Sequence, residues 1–325
     1  MKIAFLSNKL TLRGTEVAMY DYADYNETLL GNKSIIISRD INKHFYERDI
    51  HPEAYEKFRN RFPLFYYENI QDIENIIEKE KIDLLYVIKA GNKDHLITKK
   101  CKTFMHCVFN TKEPHGDFYI PISEQVNEIS NTNYPIFPHM IRVFDTDENL
   151  RTELNIPKDA TVFGSISGAD EFTIDYIIET VKEISSNPLY DNIYFVFVNI
   201  IPFAPMTKRL IFIQGTTNMD IKRRFINTCD AMLYGRKDGE SFGLCIGEFS
   251  VCNKPVISIK RSDVKNFCDF HFKTLKDDII IHNNKTELVD ILTNFGKYNK
   301  DVSNNGYKKY TPEYVMNIFK NIIEK

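Results

Sequence analysis

No apolar run in this chain approaches the roughly 20 residues needed to cross a bilayer as a helix, so no transmembrane segment is expected. The first residues, Met1-Lys2-Ile3-Ala4-Phe5-Leu6-Ser7, turn polar too soon for a secretory signal and read as a strand that starts the fold at once. No Cys-x-x-Cys pair occurs among Cys101, Cys107, Cys229, Cys245, Cys252 and Cys268, and several of these lie in apolar runs. They read as reduced, mostly buried thiols of a cytoplasmic protein, not as a disulfide framework. No His/Cys cluster has metal-ligand spacing, and neither an internal repeat nor a low-complexity tract is present. Net charge is only −3, which gives no electrostatic reason to expect nucleic acid. The basic run Lys222-Arg223-Arg224 is expected on a solvated helix face.

What is present is ordinary globular composition, 43% hydrophobic and 27% charged, over 325 residues. That length is long for one core and comfortable for two. Short apolar runs alternate with helical periodicity along the whole chain. Lys2 to Leu6 reads as a strand, a polar loop from Ser7 to Thr15 follows, and Ala18, Tyr22, Tyr25 and Leu29 mark a helix face. Ser34 to Ser38 is the next strand, so the chain begins with a strand–loop–helix–strand unit of a parallel sheet. A second series starts at Thr161 and includes the continuous apolar run Ile193 to Val198, the mark of a strand covered on both faces. Between the series, Pro135, Pro138 and Pro157 punctuate a polar, acidic stretch. The expected organisation is α/β: a Rossmann-like domain over 1–142, a linker over 143–158 and a second Rossmann-like domain over 159–310. A helix over 311–325 is capped by Thr311 and Pro312 and packs back on the first domain. Two such sheets facing across a cleft bind ligands beyond the carboxyl ends of their strands.

The most specific stretch is Gly239-Glu240-Ser241-Phe242-Gly243-Leu244-Cys245-Ile246-Gly247-Glu248. It follows a short strand, Ala231 to Tyr234, and opens a helix expected over Phe242 to Val251. Glu240 then sits in the loop and Glu248 in the helix, on either side of a helix start. Free amides at a helix start, with a glycine for close approach, form an anion site. Two carboxylates beside it suit a ligand with hydroxyls and phosphates.

With the strand Asp230 to Tyr234 before it and Asn253-Lys254-Pro255-Val256-Ile257 after it, this stretch resembles the donor-binding core of retaining glycosyltransferases of the GT-B fold, most closely glycosyltransferase family four. The loop Arg13-Gly14-Thr15-Glu16 is similar to that family's glycine-rich loop after the first strand. The resemblance implies a nucleotide-sugar donor of UDP or GDP type, a glycan or glycoconjugate acceptor, and no metal or other cofactor. It gives Glu240 to the hydroxyls of the donor sugar and Glu248 to the ribose. The amides of Gly243 and Leu244 take the diphosphate, with Ser241 and Phe242 beside them, and Gly14 and Thr15 line its approach. Gly215 and Thr216, after another strand, fall near the base. A first-domain histidine near the sugar is expected, with His106 and His115 as candidates. The family usually places an arginine after the first strand of the second domain and a lysine five residues on; here Ser165 and Asp170 stand in those places. Substitute cations are Arg236 and Lys237, and more remotely Lys208 and Arg209.

The expected function is transfer of a sugar to a hydroxyl with retention. The alternatives are a GT-B nucleotide-sugar-binding protein with weak or no turnover, and a nucleotide-sugar epimerase. A cytoplasmic location is expected, with peripheral membrane association as the variant of it.

Overall fold

The computed structural model describes residues 1–40, 43, 51–94, 96–261, 267–303 and 305–324. The chain forms two compact units, one of Met1–Met140 with Tyr310–Lys325 and one of Ile141–Lys309. The first runs β1 (Lys2–Leu6), α1 (Gly14–Thr28), β2 (Lys33–Ser38), α2 (Pro52–Arg61), β3 (Leu64–Tyr66), α3 (Ile70–Glu80), β4 (Leu84–Lys89), β5 (Lys102–Cys107), β6 (Phe118–Pro121) and α4 (Glu124–Ser130). Its sheet has the order β3-β2-β1-β4-β5-β6, and every pairing is parallel.

The second unit runs β7 (Thr161–Ile166), α5 (Asp175–Ser186), β8 (Ile193–Val198), β9 (Leu210–Ile213), α6 (Met219–Thr228), β10 (Ala231–Leu233), β11 (Gly239–Glu240), α7 (Leu244–Val251), β12 (Val256–Ser258), β13 (Cys268–Asp269), α8 (Phe270–Leu275), β14 (Ile279–Ile281) and α9 (Lys285–Thr293). Its main sheet has the order β14-β12-β10-β7-β8-β9, again parallel throughout. The run Ile193–Val198 is buried at every position, as its unbroken apolar sequence predicts.

Both sheets carry the same winding: the first strand is central, two follow on one side, and the chain then returns to the other side. The order reverses between β1 and β4 in one sheet and between β7 and β10 in the other. Loops leaving the carboxyl ends of strands at such a reversal diverge and leave a crevice between them. In the second unit those loops are residues 167–174 and 234–238.

Residues 143–158 are not a free linker. Leu150 is buried and donates its N–H to Thr228 Oγ1 at 2.7 Å. Arg151 donates to the carbonyls of Lys158, Ala160 and Thr228 at 3.0, 2.8 and 3.1 Å and to Asp230 Oδ2 at 2.9 Å. One guanidinium thus satisfies backbone oxygens that a polar, proline-containing stretch would otherwise leave to water.

The last helix, α10 (Pro312–Ile323), belongs to the first unit. Thr311 accepts from the Tyr314 N–H at 3.3 Å and Pro312 takes the first turn, where its missing N–H costs nothing. Phe319, 1% exposed, stacks on Phe137 at 5.2 Å between ring centroids and meets Phe104 edge-on at 5.4 Å. Among the described residues no helix is long and apolar enough to cross a membrane. Phe319→Ala is expected to cost about 3–5 kcal/mol through loss of ring burial and the cavity left behind, read as a lower chemical-denaturation midpoint of the first unit.

Candidate functional site

Glu240 is placed by its backbone. It is the second residue of β11, which pairs with β13 in a two-stranded parallel ladder. Gly239 before it has φ +73°, and a Cβ there would lie 2.1 Å from the Cys268 carbonyl oxygen, so only glycine permits the pairing. The Glu240 carboxylate then meets three neighbours. Tyr234, just past β10, donates its hydroxyl at 3.3 Å. Arg236 Nη1 lies 3.5 and 3.4 Å from the two carboxylate oxygens. The same Nη1 lies 3.4 Å from Glu171 Oε2. Burial pushes the Glu240 carboxyl above its ordinary range, Arg236 opposes this, and Glu171 adds to it.

Glu171 comes from the β7–α5 loop and Arg236 from the loop after β10, the two loops at the reversal of strand order. They interlock through their backbones. The N–H groups of Thr173 and Ile174 donate to the Gly235 carbonyl at 2.8 and 3.1 Å, and the Lys237 N–H donates to Thr173 Oγ1 at 3.2 Å. A Cβ on Gly235 would run into the Phe172 ring at 2.4 Å. A Cβ on Gly168 would lie 2.9 Å from Glu171 Cδ. Gly235 is needed for this close approach and not for an unusual backbone, whereas a side chain at 168 would only push the flexible Glu171 carboxyl aside.

Helix α7 starts beside this cluster. Gly243 is its N-cap, with φ +84° and no side-chain cap, so the amides of the first turn have no intrahelical acceptor. The left-handed Gly243 moves the helix start to Leu244, two residues later than expected. A Cβ on Gly243 would lie 3.2 Å from Glu240 Cβ, so the helix start adjoins the first carboxylate. Phe242 is a core residue, 1% exposed and stacked on Phe270 at 5.4 Å; its carbonyl accepts from the Tyr307 hydroxyl at 2.5 Å. Ser241 and Leu244 are half-buried at the same turn.

Glu248, one turn into α7, is 3% exposed. Lys222 donates to its Oε1 at 2.5 Å, while Oε2 is buried with no partner among the described residues. Burial raises the Glu248 carboxyl and Lys222 opposes it. Burial also pushes the neighbouring Cys245 thiol up to about 12, and the charges of Lys222, Glu248, Glu240 and Glu171 all act on it. The two acids of the motif therefore lie around one helix turn.

Several expectations are corrected. Lys222 is not on a solvated face: its side chain is 11% exposed, because α6 turns this position toward α7. Arg223 instead contacts Cys252 Sγ, and Arg224 pairs with Glu153. His106 is a core histidine, 0% exposed, with Tyr86 Oη 2.6 Å from Nδ1 and the Phe137 carbonyl 2.7 Å from Nε2. Burial drives it down to about 3, so it has neither a free nitrogen nor access to a ligand. His115 is also buried, with Nδ1 2.6 Å from the Glu113 carbonyl and Nε2 3.2 Å from Lys89 Nζ. That pairing makes Nδ1 the donor and Nε2 the acceptor, and it commits both nitrogens.

Ser165 lies inside β7 and is 2% exposed, so it is a strand residue and not part of the loop that follows. Lys208 and Arg209 precede β9, at the amino end of a parallel sheet and away from the carboxyl-end loops. Arg209 is spent on the carbonyls of Ile184, Tyr190 and Asn187. Lys237 is exposed, while Arg236 is the cation beside Glu240.

Gly215 and Thr216 are half-buried in the loop entering α6. Thr216 Oγ1 accepts from the Asn218 N–H at 3.0 Å, and Asn218 caps the helix. In the first unit Gly14 opens α1 and has no left-handed backbone. The Thr15 hydroxyl donates to Glu16, whose buried carboxylate also accepts from Ser7 Oγ at 3.2 Å and Thr11 Oγ1 at 2.6 Å. Glu16 thus gathers the β1–α1 loop. Glu171, Tyr234 and Lys222 carry no spacing signal in the sequence, because each reaches the motif from a different loop or helix.

Lys222→Met is expected to destabilise the fold by about 3–5 kcal/mol near neutral pH, because it leaves a buried carboxylate unpaired. With the folded-state carboxyl raised above its ordinary 4.5, the penalty is absent while Glu248 is protonated and grows as pH rises through its folded titration. Denaturation midpoints taken near neutral and near acid pH check this, and Glu248→Gln in the same background is expected to remove the pH dependence.

No protein-family model and no curated relative matches the sequence. Solved structures do. A glycosyltransferase from Rickettsia africae aligns over 100% of this chain and 99% of its own at 13% identity, with a TM-score of 0.69. Anabaena Alr3699/HepE in complex with UDP-glucose aligns over 100% of both chains at 13% identity, with a TM-score of 0.68. A candidate UDP-N-acetylglucosamine 2-epimerase from Listeria monocytogenes covers 99% of this chain, and 95% of its own length is covered, at 12% identity and a TM-score of 0.60. At these identities the likeness is one of fold, and it extends along the whole chain: the protein has the α/β, two-domain GT-B fold.

Proposed function

We propose that this protein is a nucleotide-sugar-dependent glycosyltransferase that works with retention and without a metal ion. The observation that carries the reading is the arrangement around α7: Glu240, an uncapped helix start and Glu248 within one helix turn, beside an arginine. The amides of Gly243 and Leu244 take the diphosphate, where the helix dipole favours anions. Glu248 takes the ribose diol through its unpartnered Oε2, and Glu240 takes hydroxyls of the sugar. Gly215 and Thr216 lie toward the base. The acceptor is a hydroxyl of a glycan or glycoconjugate.

Arg236 replaces the cation missing from the β7–α5 loop. Its Nη1 is shared by two carboxylates, and no hydrogen bond to its Nε or Nη2 is found among the described residues. A guanidinium carries five N–H donors, so one edge remains to meet developing phosphate charge, a large contribution in such sites. In the reaction the bond from the anomeric carbon to the diphosphate oxygen breaks. The acceptor oxygen bonds the same face of that carbon, and its proton passes to the departing phosphate. No enzyme nucleophile is required.

A second reading, a nucleotide-sugar-binding protein with little turnover, is favoured by one observation: Arg236 is already flanked by Glu171 and Glu240. Calorimetry with UDP and GDP, followed by assay of transfer and hydrolysis on a panel of nucleotide sugars, separates the two; an epimerase would instead yield an isomerised sugar without acceptor. Under the first reading Glu240→Gln is expected to lower kcat about 100-fold and Arg236→Met by about 100- to 1,000-fold, with nucleoside affinity retained in both. Full turnover by Glu240→Gln would remove the role given to Glu240.

A further inference from the structure

The crossover from β8 to β9, residues 199–209, carries no helix. Because β8 and β9 are parallel neighbours, this segment has to return from the carboxyl end of the sheet to the amino end. It is fixed along its length. The Ile201 N–H donates to the Ala169 carbonyl and the Thr207 N–H to the Leu210 carbonyl, both at 2.9 Å. Phe203 turns inward and meets Phe197 and Phe212 edge-on at 5.3 and 5.1 Å. Arg209 donates to the carbonyls of Asn187 and Tyr190 at 2.9 and 2.5 Å, which ties the single turn Pro188–Tyr190 to the same flank. This ordered backbone leaves Ile201 60%, Met206 61% and Leu189 84% exposed, the three most exposed large hydrophobic side chains among the described residues. Pro202 and Pro205 are exposed beside them.

The charges on this flank are mostly positive. Lys182 of α5 lies 6.0 Å over the Phe203 ring and Lys208 is exposed; neither forms an ion pair among the described residues. The acids nearest Lys182 on α5, Glu179 and Glu183, are turned to Lys285 of α9 at 3.6 and 2.6 Å. Arg209 meets carbonyls and no carboxylate among the described residues. The adjoining acids are Asp191, two residues after Leu189, and Asp170, next to Ala169, with Glu171 held by Arg236. Apolar side chains exposed singly are ordinary, but three on one ordered flank among cations mark an interaction surface. We propose that this flank docks on an anionic lipid bilayer. Ile201, Met206 and Leu189 enter the headgroup boundary, Lys182 and Lys208 meet lipid phosphates, and Arg209 adds to their field. Buried apolar area and lysines near an anionic surface both strengthen such binding. The prolines and the tied backbone reduce the entropy lost on docking. A second copy of the chain is a poorer occupant, because a matching face would set the same cations against each other. The inference goes beyond the proposed transfer reaction and does not rest on it.

The test is flotation of the full chain with vesicles of phosphatidylcholine alone and with about one third phosphatidylglycerol, at low and high salt. Wild type is expected to bind the anionic vesicles at least about tenfold more tightly than the neutral ones and to lose most of that difference at high salt. Lys182→Gln with Lys208→Gln is expected to weaken binding to anionic vesicles about 20-fold. Ile201→Ser with Met206→Ser is expected to weaken it at least about tenfold. All four side chains are exposed, so denaturation midpoints are expected to stay near wild type, which separates lost docking from lost fold. No flotation of wild type with anionic vesicles, equal flotation with both kinds, or undiminished flotation of Ile201→Ser with Met206→Ser overturns the inference. So does self-association of wild type that this double variant abolishes without any lipid binding, since the flank would then join copies of the chain. None of these outcomes bears on the donor site, which nucleotide calorimetry reads separately.

Discussion

A single guanidinium nitrogen, Arg236 Nη1 of the loop after β10, is shared between two carboxylates, Glu171 of the β7–α5 loop and Glu240 of β11. Without it, two acids at the reversal of strand order would lose the positive charge that they share in a half-buried site. With it, both loops are drawn to one point. The interlock is then completed by hydrogen bonds to the Gly235 carbonyl and by the Phe172 ring lying where a side chain on Gly235 would be. Removing a charge here changes the electrostatics of the candidate site, and adding a methyl group changes its geometry.

A second buried pair repeats the logic at lower exposure. Lys222 and Glu248 come from neighbouring helices and neutralise each other almost out of solvent. Burying such a pair costs desolvation of both ions, so it is weak support for stability. Its consequence is positional: α6 and α7 are held in register, and Glu248 keeps one oxygen without a partner among the described residues. In the first unit the buried carboxylate of Glu16 is treated differently, with hydroxyls of Ser7, Thr11 and Thr15 in place of a cation. That arrangement organises the β1–α1 loop without adding positive charge to it.

The legible part of the molecule was local. The unbroken run Ile193–Val198 could only be a strand covered on both faces, and Thr311-Pro312 could only open a helix. The order strand, glycine-rich turn, helix around Glu240 and Glu248 was readable because each residue is near its partner in sequence. The failures share one cause: solvation depends on what packs against a residue from elsewhere. Lys222 reads as one of three solvated bases until α7 is laid beside it. His106 reads as a strand-end histidine until the Phe137 carbonyl and Tyr86 close over it. The stretch from 143 to 158 reads as a linker until Arg151 binds its carbonyls.

The sequence by itself determined two α/β sheets, the strand–turn–helix that carries Glu240 and Glu248, and the glycines at 239 and 243 that let that turn form. These follow from periodicity and from backbone freedom, both properties of neighbours in the chain. Only the tertiary structure decided which charges oppose which. Glu171 and Arg236 are 65 residues apart and meet because β7 and β10 are adjacent strands whose loops leave the same end of the sheet. Charge pairing acts through space, and the distances that govern it exist only once the sheet has formed.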